Sequence, residues 1–272
     1  MARIELLPTQ VDCIEQGLSI LKKHGWVYYA MQERTGKTLT ALFSAFKFKP
    51  NAKVVIYTKK RALQGWQEWI DKDEFKDKDI TLINYEANYT HKKIYDIAIL
   101  DESHNYISSY PKPSVTLKKL FPIVFNCHVI YCSATPCAES YSKLFYQLFL
   151  CGYSPFSYHK FKSFYQWHRV YGIPLQRRIN GLLVNDYSKT KEALVLATID
   201  PSVFNYANPN NGRGMFKIVV SNMYQNNELH NKILQDEADA YMIQKEVNAL
   251  KLQVMRLKKE IVQLKQAKFT PK

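Results

Sequence analysis

Short apolar and aromatic runs recur along the chain, each followed by a longer amphipathic stretch, and that alternation restricts it to few folds. WVYYAM (26–31), KVVIYT (53–58), ITLINY (80–85), YDIAIL (95–100) and HVIYCSA (128–134) read as strands. Helical text intervenes at TLTALFSAF (38–46) and ALQGWQEWI (62–70). Strands that stay apolar along their length are buried on both faces. When helices separate them, they form a parallel sheet covered on each side. The expected class is α/β, with a mainly parallel sheet flanked by helices. After Pro136 the text becomes helical, at SYSKLFYQLFL (140–150) and FKSFYQWHRVYG (161–172).

Composition agrees with a globular chain. Its 272 residues are 46% hydrophobic, enough for a packed core with material to spare. The formal net charge of +14 attracts polyanions, nucleic acid first among them, although solvated lysine faces give the same total. Cys13, Cys127, Cys132, Cys137 and Cys151 contain no CxxC pair and no zinc-type spacing. An odd number of cysteines without a leader reads as reduced thiols, and the expected location is the cytoplasm. No apolar run approaches the ~20 residues that span a bilayer, so no membrane association is expected.

The segment YYAMQERTGKTLTAL (28–42) ends like a phosphate-binding loop, with Met31 where such loops usually carry their first glycine. Gly36 lets the backbone approach a phosphate, the Lys37 ammonium can reach the terminal phosphates, and the Thr38 hydroxyl can bind Mg²⁺. The tripeptide lies after a strand and opens a helix, as this chemistry requires. Taken alone, it is also compatible with a chance helix cap. Further along, YDIAILDESH (95–104) puts Asp101 and Glu102 at the end of an apolar strand. Chemistry in open parallel sheets gathers there. Asp101 would hold Mg²⁺, and Glu102 would orient and deprotonate water. An acidic turn is the plain alternative, but the order of elements relative to Lys37 favours the nucleotide site.

With these residues in place, the chain resembles the superfamily 2 helicases and translocases, most closely the phage-type, Swi/Snf-like group. Asp101-Glu102-Ser103-His104 looks like their DExH box and Ser133-Ala134-Thr135 like their SAT motif. Gln10 in LLPTQ matches the adenine-reading glutamine, and MQERTGKT is similar to loop variants of the group. YTKKRALQGWQEWI (57–70) and INYE (83–86) stand where the family places its first nucleic-acid-contacting motifs. The likeness covers residues 4 to 195. It implies a single RecA-like lobe at 1–198 that binds ATP and Mg²⁺ through Gln10, Thr35, Gly36, Lys37 and Thr38. Thr38 and Asp101 would serve the metal, and Lys37, Asp101 and Glu102 would be catalytic. His104, Ser133 and Thr135 would couple nucleotide state to nucleic acid, and Lys59, Lys60 and Arg61 would touch its backbone. The implied polymer is DNA, with RNA as the other choice.

A complete motor of this family has a second lobe that supplies an arginine to the transferred phosphoryl group, worth ~10³–10⁵ in rate in well-studied NTPases. The residues after 195 are too few for it, and Arg213 in NGRGMFK lacks the expected pattern. Residues 199–232 read as a linker. The stretch 233–268 reads as a long helix forming a coiled coil. Ala240, Val247, Val254 and Ile261 recur every seventh residue, and Ile243, Leu250, Leu257 and Leu264 follow each by three. Mainly β-branched a positions and leucine at d favour a parallel pair, and Glu246 and Glu260 would face Lys251 and Lys265 of a partner helix. A single helix packed on the lobe would show a wider apolar stripe. The 240–264 heptads therefore imply self-association or a partner protein. The leading function is an ATP-binding motor lobe of a DNA-directed translocase. The competing one is a catalytically weak nucleic-acid-binding or scaffold module assembled through the coiled coil. In the aromatic cluster Tyr158, Phe161, Phe164, Tyr165 and Trp167, core packing is expected for most members over base stacking.

Overall fold

The computed structural model describes residues 4–32, 35–87, 93–137 and 139–206. The 240–264 heptads and Arg213 lie outside the described residues. Five of the strands are the expected ones: β1 (Trp26–Met31), β2 (Val54–Thr58), β3 (Ile80–Asn84), β4 (Ile97–Asp101) and β5 (His128–Ser133). The helices are α1 (Pro8–His24), α2 (Lys37–Phe48), α3 (Leu63–Ile70), α4 (Val115–Val124), α5 (Leu144–Phe149), α6 (Phe164–Tyr171) and α7 (Glu192–Ile199). A hairpin, β6 (Leu175–Ile179) with β7 (Leu182–Asp186), stands apart from the main sheet.

The main sheet runs β3-β2-β4-β5-β1-β8, where β8 is Val203–Tyr206, and every pairing in it is parallel. β8 corrects the expected linker at 199–232, because the lobe continues through its first residues. β8 pairs with β1, Tyr29 opposite Phe204. It is short and precedes the turn formers ANPNNG, which masked it as loop text. No helix among the described residues is long and apolar enough to cross a membrane.

Continuous burial of the strands arises because successive side chains point to opposite sides and both sides are covered. Trp26, Tyr28, Ala30, Tyr57, Ala98, Leu100, Val129 and Tyr131 join a core with Leu117 of α4, Phe145 of α5, Phe164 of α6 and Val195 of α7. Val27, Tyr29, Met31, Val54, Ile56, Ile97, Ile99, Ile130 and Cys132 form the other core, with Leu21 of α1, Leu42 of α2 and Trp66 of α3. Cys132 acts as a small buried hydrophobe, as expected. Phe164 and Trp167 are fully buried, whereas Tyr158 and Tyr165 remain exposed.

α1 buries Gln10, Cys13, Ile14, Gly17 and Leu21, one face at helical spacing. Gly17 lies directly on the Tyr29 ring, where an added Cβ would come within 1.9 Å of the hydroxyl. That ring cannot swing aside. Its hydroxyl is 2.6 Å from Ser44 Oγ, and Ser44 spends its own proton on the Thr40 carbonyl, so Tyr29 is the donor. Gly17→Ala is expected to destabilise the chain by about 1–3 kcal/mol through overpacking. Thermal unfolding against wild type checks this, and an unchanged midpoint would contradict the packing described.

Candidate functional site

β4 and β5 lie between β2 and β1, so the carboxyl ends of four strands stand side by side: Thr58, Asp101, Ser133 and Met31. Interior side chains of these strands are apolar or aromatic, and the polar chemistry collects where the strands stop.

The phosphate-loop residues follow β1. Met31 is the last residue of that strand, wholly buried, and does not have a positive φ. Glycine is therefore not required there. Gly36 is different: its φ of 82° is left-handed, and an added Cβ would lie 2.1 Å from Gln10 Nε2. Gln10 thus packs its amide directly on the loop, with Oε1 accepting from Leu7 N–H at 2.9 Å. The Lys37 ammonium donates to the Met31 carbonyl at 3.0 Å and the Gln32 carbonyl at 2.8 Å. Thr35 Oγ1 ties the loop down by donating to the same Gln32 carbonyl at 2.6 Å. Thr38 is the second residue of α2, at its N-terminus, where free backbone N–H groups favour anions.

Asp101 and Glu102 are adjacent but are held by opposite neighbours. Asp101 Oδ2 accepts from Thr58 Oγ1 at 2.6 Å and from Trp66 Nε1 at 3.1 Å. Oδ1 accepts no hydrogen bond among the described residues. Burial pushes the Asp101 carboxyl above its ordinary pKa, the Thr58 and Trp66 bonds pull it back, Glu102 raises it and the Lys37 charge lowers it. A half-buried carboxylate that feels the Lys37 charge and keeps one oxygen without a hydrogen bond among the described residues could hold a divalent cation, which would stabilise its ionised form.

Glu102 adopts φ 49° and ψ 37°, a left-handed conformation that costs a non-glycine residue about 1–3 kcal/mol. Its N–H bonds the Cys132 carbonyl at 2.8 Å, and its Oε2 accepts from Ser133 Oγ at 2.8 Å. Ser133 has one hydroxyl proton, which this bond uses. His104 Nδ1, 2.9 Å from the same oxygen, must therefore carry hydrogen and donate. The Thr135 N–H donates to Ser133 Oγ as well, at 3.0 Å. His104 Nε2 is then the acceptor that faces Thr135 Oγ1 at 3.4 Å. Burial, then the charge of Lys143, lowers the His104 pKa to about 4, so the ring is neutral at physiological pH.

The structure therefore brings together Gln10 with Gly36, Lys37 with the Asp101 field, and Glu102 with His104, Ser133 and Thr135. Lys59 is half-buried and Lys60 and Arg61 are exposed, in a turn directly after β2. They form no hydrogen bond or ion pair with these residues, yet the turn flanks the same edge of the sheet, next to Thr58. Thr58 and Trp66, which fix Asp101, went unrecognised as site residues. The available signal was a hydroxyl closing the apolar strand VVIYT. Gln147, a lone amide within LFYQLF, was missed as well.

No family model matches the sequence, and no curated protein matches it at a significant level. Among solved structures, the Sulfolobus solfataricus SWI2/SNF2 ATPase core in complex with dsDNA is similar over 74% of this chain and 44% of its own, with a TM-score of 0.52 and 17% identity. The SWI2/SNF2 ATPase core domain of the same organism is similar over 77% of this chain and 45% of its own, with a TM-score of 0.55 and 14% identity. At such identity the likeness is one of fold. The chain has an α/β RecA-like lobe, a fold it shares with part of those ATPase cores. It spans less than half the length of those chains.

The His104 assignment has a consequence for stability. Its folded pKa of about 4 lies below the ordinary 6.5, so the unfolded chain takes up the proton first as pH falls. The stability of the neutral ring is complete above about pH 6.5 and drains away toward about pH 4. His104→Asn, which retains a donor near the Nδ1 position, is expected to flatten part of the acid-side fall in thermal midpoint across that window. A variant whose pH profile parallels that of wild type would contradict the assignment.

Proposed function

We propose that the lobe binds Mg·ATP between Gly36-Lys37-Thr38 and Asp101-Glu102 and forms the first motor lobe of a DNA-directed superfamily 2 translocase of Swi/Snf-like type. One observation carries the reading: Lys37 at the start of α2, Asp101 ending β4, and Glu102 with its Ser133 and His104 partners gather at the carboxyl end of one parallel sheet. Lys37 would exchange the Met31 and Gln32 carbonyls for terminal phosphate oxygens. The α2 N-terminus and the left-handed Gly36 offer backbone N–H groups to the same anion. Gln10, already packed on the loop, would read the base.

Mg²⁺, when bound, neutralises charge developing on the phosphates. Thr38 and Asp101 are the residues to hold it. Glu102 is the proton acceptor for the attacking water. Its second carboxylate oxygen is left for that task while Oε2 is held by Ser133. Because Ser133, Thr135 and His104 share one hydrogen-bonded cluster with Glu102, displacement of the loop after β5 would reach the base directly. Lys59, Lys60 and Arg61 would contact the phosphate backbone, which carries no base specificity. The dsDNA in the similar Sulfolobus complex supports duplex DNA as the polymer. A second lobe would supply the arginine for full turnover.

Purified chain is assayed for ATP binding and turnover with and without duplex DNA. Lys37→Ala is expected to abolish nucleotide binding. Glu102→Gln is expected to bind nucleotide normally and lose turnover by about 10²–10⁴-fold, the range for removal of a general base. Nucleotide binding unaffected by Lys37→Ala, or turnover unaffected by Glu102→Gln, would overturn the reading.

A further inference from the structure

Helix α5 is apolar and aromatic except at Gln147, whose side chain is completely buried. Gln147 Oε1 accepts from Tyr28 Oη at 3.0 Å and from Ser103 Oγ at 2.9 Å. Its Nε2 donates to the Pro136 carbonyl at 2.9 Å and the Lys143 carbonyl at 3.0 Å. Its backbone carbonyl accepts from Tyr131 Oη at 2.7 Å. The amide can be placed only this way round. Pro136 and Lys143 present carbonyls, which cannot donate, so a reversed amide would set oxygen against oxygen. Both hydroxyls are therefore donors, and all four hydrogen-bonding positions of the amide are used.

Ser103 and Pro136 border the nucleotide site, whereas Tyr28 lies inside β1, buried in the core three residues before the strand ends. Ser103 follows Glu102, and Pro136 follows Thr135. We infer that Gln147 is a positioning residue for the hydrolysis proposed above, tying the Glu102 turn to the loop after β5 so that a shift in one is imposed on the other. The physical reason is the buried setting. If Ser103 or Pro136 moves by itself, a polar group is left unpaired away from water, which is costly. The two loops must therefore move together or stay together. Gln147 forms no hydrogen bond with Gln10, Gly36, Lys37 or Thr38, so its action falls on turnover and not on nucleotide affinity. The inference rests on the ATPase reading.

Tyr28 and Ser103 provide a matched pair for the test, since each donates one hydrogen bond to the same buried oxygen. A merely structural Gln147 predicts equal consequences from losing either. Turnover and thermal midpoints are measured for wild type, Lys37→Ala, Tyr28→Phe, Ser103→Ala, Gln147→Met and the Ser103→Ala/Gln147→Met double variant. Ser103→Ala and Gln147→Met are each expected to lower kcat about ten- to a hundredfold with KM for ATP within about twofold, as for misplacement of a group that acts in the transition state. The double variant is expected to fall no further than the worse single, because both cut one connection. Tyr28→Phe is expected to lose as much thermal midpoint as Ser103→Ala while keeping its kcat. Equal kcat losses in Tyr28→Phe and Ser103→Ala, or effects that multiply in the double variant, would overturn the inference and leave the ATPase reading intact. Turnover of wild-type chain that Lys37→Ala leaves unchanged would overturn both. The Tyr28 and Ser103 pair decides the matter even if Gln147→Met is too unstable to assay.

Discussion

β4 and β5 pair in parallel with Asp101 opposite Cys132, and the ladder takes one step more when the Glu102 N–H bonds the Cys132 carbonyl. The geometry of the site depends on that last bond. It ends β4, holds Glu102 in a left-handed conformation, and sends two consecutive carboxylates to different neighbours. Asp101 is taken by Thr58 of β2 and Trp66 of α3, while Glu102 is taken by Ser133 of β5. Adjacent residues of like chemistry thereby occupy unlike environments. Burial raises the pKa of Asp101, while Glu102 keeps part of its side chain open to solvent. Separate roles for neighbouring carboxylates require that kind of difference.

A sheet covered on both faces makes this arrangement stiff. The hydroxyls of Thr58, Ser103 and Ser133 are all inside the protein and all committed to named partners. In a low-dielectric interior a broken polar contact has no water to replace it, so these bonds change together or not at all. The phosphate loop is held more lightly. Lys37 rests on two neutral backbone carbonyls, Met31 at the end of β1 and Gln32 just beyond it, acceptors that an anion can replace. Fixed acids beside an exchangeable ammonium suit a site that must accept and release an anion.

Legibility in the sequence followed the strength of the local signal. WVYYAM was bounded correctly as β1, and the other apolar runs located β2 to β5 within two residues at their ends. α1 was harder, since its buried face includes Gln10 and Gly17 and so shows little apolar periodicity. β8 was absorbed into an expected linker because four residues at a sheet edge, next to ANPNNG, resemble the start of a loop. Among the aromatics near residue 160, helical spacing gave core packing for most members but not which: Phe164 and Trp167 are buried, Phe161 packs against the core, and Tyr158 and Tyr165 are exposed. Gln147 escaped because one polar residue in an apolar helix discloses its burial but not its partners.

The sequence by itself determined the α/β class, Lys37 at the opening of a helix, and the order in which Asp101, Glu102 and Ser133 arrive at strand ends, because strand burial and strand termination are written in neighbouring residues. It also determined that Asp101 and Glu102 would end the same strand. Tertiary structure alone decided that Met31 could replace a glycine, that Ser133 would bridge Glu102 and His104, and that His104 would carry its proton on Nδ1. It alone decided that Gln147 would meet Tyr28 across a separation of 119 residues. Contacts of that kind depend on strand register and helix docking, which are properties of the packed whole and leave no periodic trace in the local pattern of side chains.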